Sequence, residues 1–169
     1  MGVEEIINEL SRNPKVFNEM LENLSSDLII WKSKPTDWCI LEIVCHLVDE
    51  EKEDFRTRVK HSLETPAKPL IPIHPQNWPA ERGYLEQDFG VALKQFTTER
   101  NDSILWLRKL INPLWDSAID HPELGKISAL SFLTNWLAHD YHHIRQINAI
   151  KHSYLKHNSS DGLTYAGKW

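Results

Sequence analysis

The segment WLAHDYHHIRQI, residues 136–147, holds His139, His142 and His143 within five positions. Phe132, Trp136, His139, His143, Ile147 and Ile150 are spaced 4, 3, 4, 4 and 3 apart, which on a helix is one continuous stripe. Two histidines therefore share its inward face. Residues i and i+4 differ by about 40° around the axis and stand about 6 Å apart along it, so both imidazoles can address one ion. A buried polar pair without partners costs a few kcal/mol. Hydrogen bonds or a bound cation can offset that cost, and the residues by themselves leave both open. His142 lies about 100° behind His143, beside the pair rather than in it. The string also resembles the H-E-x-x-H of zinc peptidases with Asp140 in place of the Glu. Asp is one methylene shorter than that general base, and neither HxxGxxH nor a downstream Glu ligand stands out, so peptidase chemistry is set aside.

A catalytic metal site commonly has three protein ligands and one open position. His46, His61, His74, His121, His152 and His157 are available outside the segment, and spacing does not choose among them. His46 has the best local setting: one turn past Ile43 at the edge of an apolar face, with Asp49 and Glu50 a turn further on. Those carboxylates can orient a ligand ring or take a proton. Arg100 falls on the stripe Leu93, Phe96, Arg100, Ile104, Leu107, where an unpaired charge is expensive. It can face a pocket and hold a substrate carboxylate in its planar fork. The preferred expectation is a structural ion pair with a carboxylate such as Glu42, Asp49 or Glu50.

The elements that must position these residues read as all-α. Apolar residues recur at helical spacing through most of the chain, with no alternating run long enough for a sheet. Val3, Ile6, Ile7 and Leu10 form a first stripe; RNP then breaks it, with Asn13 as N-cap and Pro14 opening the next segment. Thr36 or Asp37 caps a long helix from about residue 38 to 61, with Ile40, Ile43, Val44, Leu47, Phe55 and Val59 inward. Five prolines lie in residues 63–83, and Pro66, Pro69, Pro72 and Pro75 recur every third residue, the period of polyproline II. This non-helical stretch reads as a stiff crossover along a bundle, ahead of a P-x-x-P docking ligand. Helices over about 86–110 and 128–151 follow, separated by a loop with Pro113 and Pro122. The polar tail from 158 is expected to be loosely held.

One domain, 1–169 with a core of about 10–151, suits a chain of this length. A net charge of -5 offers no basic field for nucleic acid. The acidic N-terminal segment is unlike a secretory leader, and no run approaches the ~18 apolar residues of a membrane span. Cytoplasmic residence is expected. Cys39 and Cys45, six apart on one helix, point about 240° apart and cannot form a disulfide. They read as small buried residues.

The pairing of DWCILEIVCHLVDEE with the distal HDYHHIRQI resembles the DinB/YfiT-like family, which has W-[ST]-[IV]-x-E-[IV]-x-x-H-[LI] early in the chain and H-x-x-x-H near its end. Similarity runs from about residue 10 to 151, and Cys39 stands where Ser or Thr is usual. The resemblance implies a four-helix bundle with one crossover, holding Ni or Zn through three histidines. Carried over, these are His46, His139 and His143. It also implies a small-molecule substrate, and a homodimer is common in the family. Three neutral imidazoles leave a dication its full charge, which favours ionising water or a thiol in the open position. Transfer of a low-molecular-weight thiol to an electrophile is the expected reaction. Hydrolysis, or a metal-containing stress-response protein without turnover, is the alternative.

Overall fold

Four long helices carry the chain. They are α1 (Val3–Leu21), α3 (Ile40–Asp49) continuing through a π-helical segment (Glu50–Phe55) into α4 (Arg56–Glu64), α6 (Phe89–Lys109) and α7 (Ala129–Asn158). Short helices α2 (Ser26–Ile30) and α5 (Trp78–Glu81) lie in the connections. The computed structural model describes residues 1–121, 124–160, 162–167 and 169. Pro122, Glu123, Asp161 and Lys168 lie outside them. Among the described residues no helix is long and apolar enough to cross a membrane.

Apolar contacts set the directions. Phe17 of α1 packs edge-on against Phe96 of α6 near the middle of both, while Ile6, Ile7 and Leu10 meet Ile104 and Leu107, so α1 and α6 run antiparallel. Leu47 and Val48 share a cluster with Ala92 and Phe96, and Val59 shares one with Ile104 and Leu107. The α3–α4 rod and α6 are therefore parallel, and α7 packs antiparallel to that rod and parallel to α1. Two parallel neighbours require a connection that travels the length of the bundle. Residues 65–88 make that return, pinned by Leu70 in one apolar cluster and by Ile73, Trp78 and Tyr84 in the other. The expected four-helix bundle with a Pro-rich crossover is the observed architecture.

Several local expectations are corrected. Asn13 and Pro14 do not divide two helices; both sit inside α1, buried. Pro14 lacks the N–H that would bond Leu10 O, and Arg100 Nη1 donates to that carbonyl instead at 3.2 Å. The cap of α3 is Cys39, not Thr36 or Asp37, and Glu42 Oε2 accepts the Cys39 N–H at 2.9 Å. The crossover does contain a helical turn, α5, with Pro79 in its first turn where a missing N–H costs nothing, and Gly83 in the left-handed region ends it. A short hairpin, β1 (Ala118–His121) with β2 (Gly125–Ser128), joins α6 to α7, where no strand was expected. Its four-residue strands are too brief for alternation to register. Helix α7 continues to Asn158, two turns past the expected end. Part of the tail is held: Leu163–Ala166 form a 3-10 turn, and the Trp169 ring stacks on His152 at 4.3 Å.

The π segment has a cause in the sequence. Leu47, Glu51, Phe55 and Val59 recur at steps of four, each overshooting a 3.6-residue turn by about 40°. The wider i→i+5 turn absorbs that drift and keeps all four buried.

Candidate metal centre

His46 comes from the middle of the α3–α4 rod, and His139 and His143 from one face of α7 where the two helices cross. Their Nε2 atoms converge: His46 to His139 is 3.3 Å and His139 to His143 is 3.1 Å. A point about 2.1 Å from such nitrogens holds them about 3.0 Å apart at octahedral angles and about 3.4 Å apart at tetrahedral ones. The observed separations fall in that range, so the three residues fit a single divalent ion. No other group of three or more ligand side chains of this kind occurs among the described residues.

The ring environments favour the neutral, ligating form. Burial, reinforced by the other histidines, pushes His46 down to about 3 and His139 to about 2. Burial also lowers His143 to about 4, against the opposing pull of its bond to Gln146. His143 Nδ1 donates to Gln146 Oε1 at 2.8 Å, which turns the Nε2 lone pair toward the centre. His46 Nδ1 is buried without a hydrogen-bond partner. With one tautomer the His139 Nε2–H can bond to a neighbouring ring, and with the other all three Nε2 lone pairs are free to share a cation at their common point. The floor is apolar: Phe55 lies 5.0 Å from the His139 ring and Trp38 stands edge-on to His46 at 4.8 Å.

The mouth is a cleft of about 730 Å³ between α7 and the loop before α3, lined by Trp31, Lys34, Asp37, Trp38, His142 and Gln146 together with the three histidines. His142 is exposed at its rim, 5.1 Å from the His143 ring, beside the triad as its position on the helix predicts. Glu50 is buried beside the site, with Oε1 3.7 Å from His46 Nε2. Burial, followed by neighbouring Asp54, raises its carboxyl to about 9. His61, His74, His121, His152 and His157 lie outside the triad.

Arg100 makes the structural ion pair that is the preferred expectation, with carboxylates other than the three named as examples. It lines no part of the cleft and pairs with none of Glu42, Asp49 or Glu50. Glu42 is engaged by Lys32, and Asp49 by Arg82 and Tyr84. Arg100 is fully buried: Nε donates to Glu51 at 2.9 Å, and Nη1 and Nη2 donate to Asp140 Oδ2 and Oδ1 at 2.7 and 2.8 Å. Trp136 Nε1 donates to Glu51 and Asn13 Nδ2 to Asp140. Sequence reasoning missed Glu51, Asp140, Asn13 and Gln146. Glu51 was detectable, since it fills the four-residue step between Leu47 and Phe55. Asp140 was not, because its neighbour His139 already defined the inward stripe.

The sequence pattern of the DinB superfamily matches residues 9–147, most of the chain. No curated protein matches it. Among solved structures, YfiT from Bacillus subtilis, described as a probable metal-dependent hydrolase with an unusual four-helix bundle topology, resembles it at a TM-score of 0.80. That likeness covers 90% of this chain and 87% of YfiT at 19% identity, which establishes the shared fold. With the family pattern spanning both histidine segments on this bundle, the chain belongs to the DinB superfamily.

Proposed function

We propose that the protein is a metal-dependent enzyme acting on a small molecule in the cleft, with one divalent ion, Ni or Zn, held by His46, His139 and His143. The observation that carries this reading is the convergence of three Nε2 atoms, from buried His46 and His143 and half-buried His139, beside an open cleft. When bound, such an ion supplies Lewis acidity, lowering the pKa of a protic ligand and polarising a substrate oxygen. Imidazole donors suit either metal.

The chain's own residues supply the rest. Gln146 holds the His143 ring by its Nδ1 proton. Trp38 and Phe55 exclude water from the inner faces of His46 and His139. Glu50 sets a buried carboxyl 3.7 Å from His46 Nε2, where it can take or give a proton. His142, at the rim, is placed to exchange a proton with solvent. Trp31 and Trp38 offer apolar walls to a substrate, and Lys34 and Asp37 offer one charge of each sign.

Hydrolysis is the first reading, since it needs no partner beyond water and agrees with what is said of YfiT. Thiol transfer is the second, and the size of the cleft favours it: about 730 Å³ leaves room for a co-substrate beside an electrophile. Cys39 and Cys45 do not line the cleft, and burial raises both thiols, Cys45 to about 12, so the thiol would come from outside.

The test is a cobalt-substituted, untagged protein titrated with small thiols, carboxylates and base, alongside turnover of activated esters and electrophiles with and without thiol. Chelator-sensitive ester cleavage independent of thiol supports the hydrolase. A sulfur-to-cobalt charge-transfer band with thiol-dependent turnover moves transfer ahead, with a Cys39→Ser/Cys45→Ser variant as control. A cobalt spectrum indifferent to every ligand rejects both in favour of a closed structural site.

A further inference from the structure

The buried Arg100 cluster touches both helices that carry the three histidines. Glu51 is five residues after His46 on the rod, and Asp140 is adjacent to His139 and three residues before His143 on α7. One guanidinium on α6 holds both carboxylates, to Glu51 through Nε and to Asp140 through Nη1 and Nη2. A second tie crosses directly between the two metal-bearing helices: Trp136 Nε1 on α7 donates to Glu51 Oε2 at 2.9 Å. A third fixes α1 to α7 through Asn13 and Asp140 at 2.7 Å. All three charged side chains are about 99% buried or more, so water screens none of these bonds.

The arrangement is more demanding than stability requires. Apolar residues of similar volume fill such a space at equal or lower free energy. What they lack is direction, since dispersion contacts tolerate sliding and rotation while a planar fork does not. Glu51 also lies inside the π segment, whose extra residue per turn sets how the rod is phased around its axis. A small rotation of the rod or of α7 would move His46 Nε2 relative to His139 Nε2 by several tenths of an ångström, enough to leave the 3.0–3.4 Å window of a shared ion.

We propose that the Arg100–Glu51–Asp140 cluster is a positioning device that sets the rotation and separation of the rod and α7, and through them the spacing of His46, His139 and His143. The inference rests on the three histidines being the metal ligands. Glu51, Arg100 and Asp140 are positioning residues; none touches the ion or a substrate.

The experiment compares the whole chain with a Glu51→Leu/Arg100→Met/Asp140→Leu variant, with Arg100→Lys, and with His139→Ala. Cooperative unfolding is recorded for each, together with cobalt and zinc affinity and the visible spectrum of the cobalt form. The triple variant replaces all three charges at once, so that none is left buried alone. It is expected to unfold cooperatively yet bind metal 10–100-fold more weakly, with a broadened or shifted cobalt spectrum. Lysine keeps the charge and cannot span both carboxylates, so Arg100→Lys is expected to show the same spectral change whether or not the triple variant folds. Wild-type affinity and spectrum in either folded variant overturn the proposal while leaving the metal site standing. Retention of metal by His139→Ala, with the cluster intact, overturns the ligand assignment itself and the positioning role with it.

Discussion

Two buried polar clusters sit side by side in this bundle and obey opposite rules. Around Arg100, charges of both signs meet, nearly every donor has an acceptor, and the group is sealed from solvent. Around His46, His139 and His143, three groups of the same kind face one another, one ring nitrogen has no partner, and a cleft opens onto them. A closed cluster whose bonds are satisfied has nothing left to offer a ligand. Three ring nitrogens that converge beside a cleft keep bonding capacity to give a ligand. Burial alone therefore does not mark function; unmet bonding capacity beside an opening does.

The sharpest way to break this contrast is to remove the donors. Replacing His46, His139 or His143 with Ala should abolish tight metal binding, as read by metal analysis of untagged protein after dialysis; retained stoichiometric metal in any of the three would remove that residue from the site.

Acid should separate the clusters next. The three histidines titrate lower in the folded protein than the usual 6.5, so as pH falls below 6.5 the unfolded chain takes up protons first. The ion-free protein holds their full contribution above pH 6.5 and loses it on the way down toward 4 and below. Each histidine contributes up to about 1.4 kcal/mol per pH unit. Glu50 and Glu51, whose carboxyls burial raises, act in the opposite sense over part of this window. A net loss of about 1–3 kcal/mol per unit remains between pH 6.5 and 4.5. Metal-loaded protein should hold its stability to lower pH, because the ion competes with those protons. Coincident denaturation midpoints with and without metal at pH 5.5 would contradict this.

Breaking the closed cluster should cost stability rather than affinity alone. Arg100→Met leaves two buried carboxylates without their cation, and a loss of about 3–5 kcal/mol is expected in urea unfolding. Ala at His142 should change unfolding by less than about 0.5 kcal/mol, since its ring is exposed. Gln146→Leu, a smaller effect than that of Arg100→Met, frees the His143 Nδ1 proton and should weaken metal binding about 10–100-fold without unfolding the protein. The smallest concerns His142 and the metal, where Ala should leave affinity unchanged within the error of a competition titration.

Much of the fold was legible because helical periodicity is a local property. The stripes through Ile40, Ile43, Val44 and Leu47, and through Phe132, Trp136, His139 and His143, face inward as spacing requires, and the proline period fixed a crossover that the parallel helices need. Local signals also misled. Pro14 reads as a helix start, yet α1 runs through it because a side chain 86 positions away takes over the orphaned Leu10 carbonyl.

The sequence by itself determined the helices, their inward faces, and the i, i+4 pairing of His139 with His143, all of which depend on neighbours within two turns. Tertiary structure decided what lies between helices: that His46 Nε2 meets His139 Nε2 across 93 positions, and that Arg100 takes Glu51 and Asp140 rather than the nearer-seeming Glu42, Asp49 or Glu50. The physical reason is that periodicity specifies which face of a helix is buried but not which face of which other helix it meets. For a charged residue on such a face, the partner follows only from the rotation of both helices, and here the π segment sets part of that rotation.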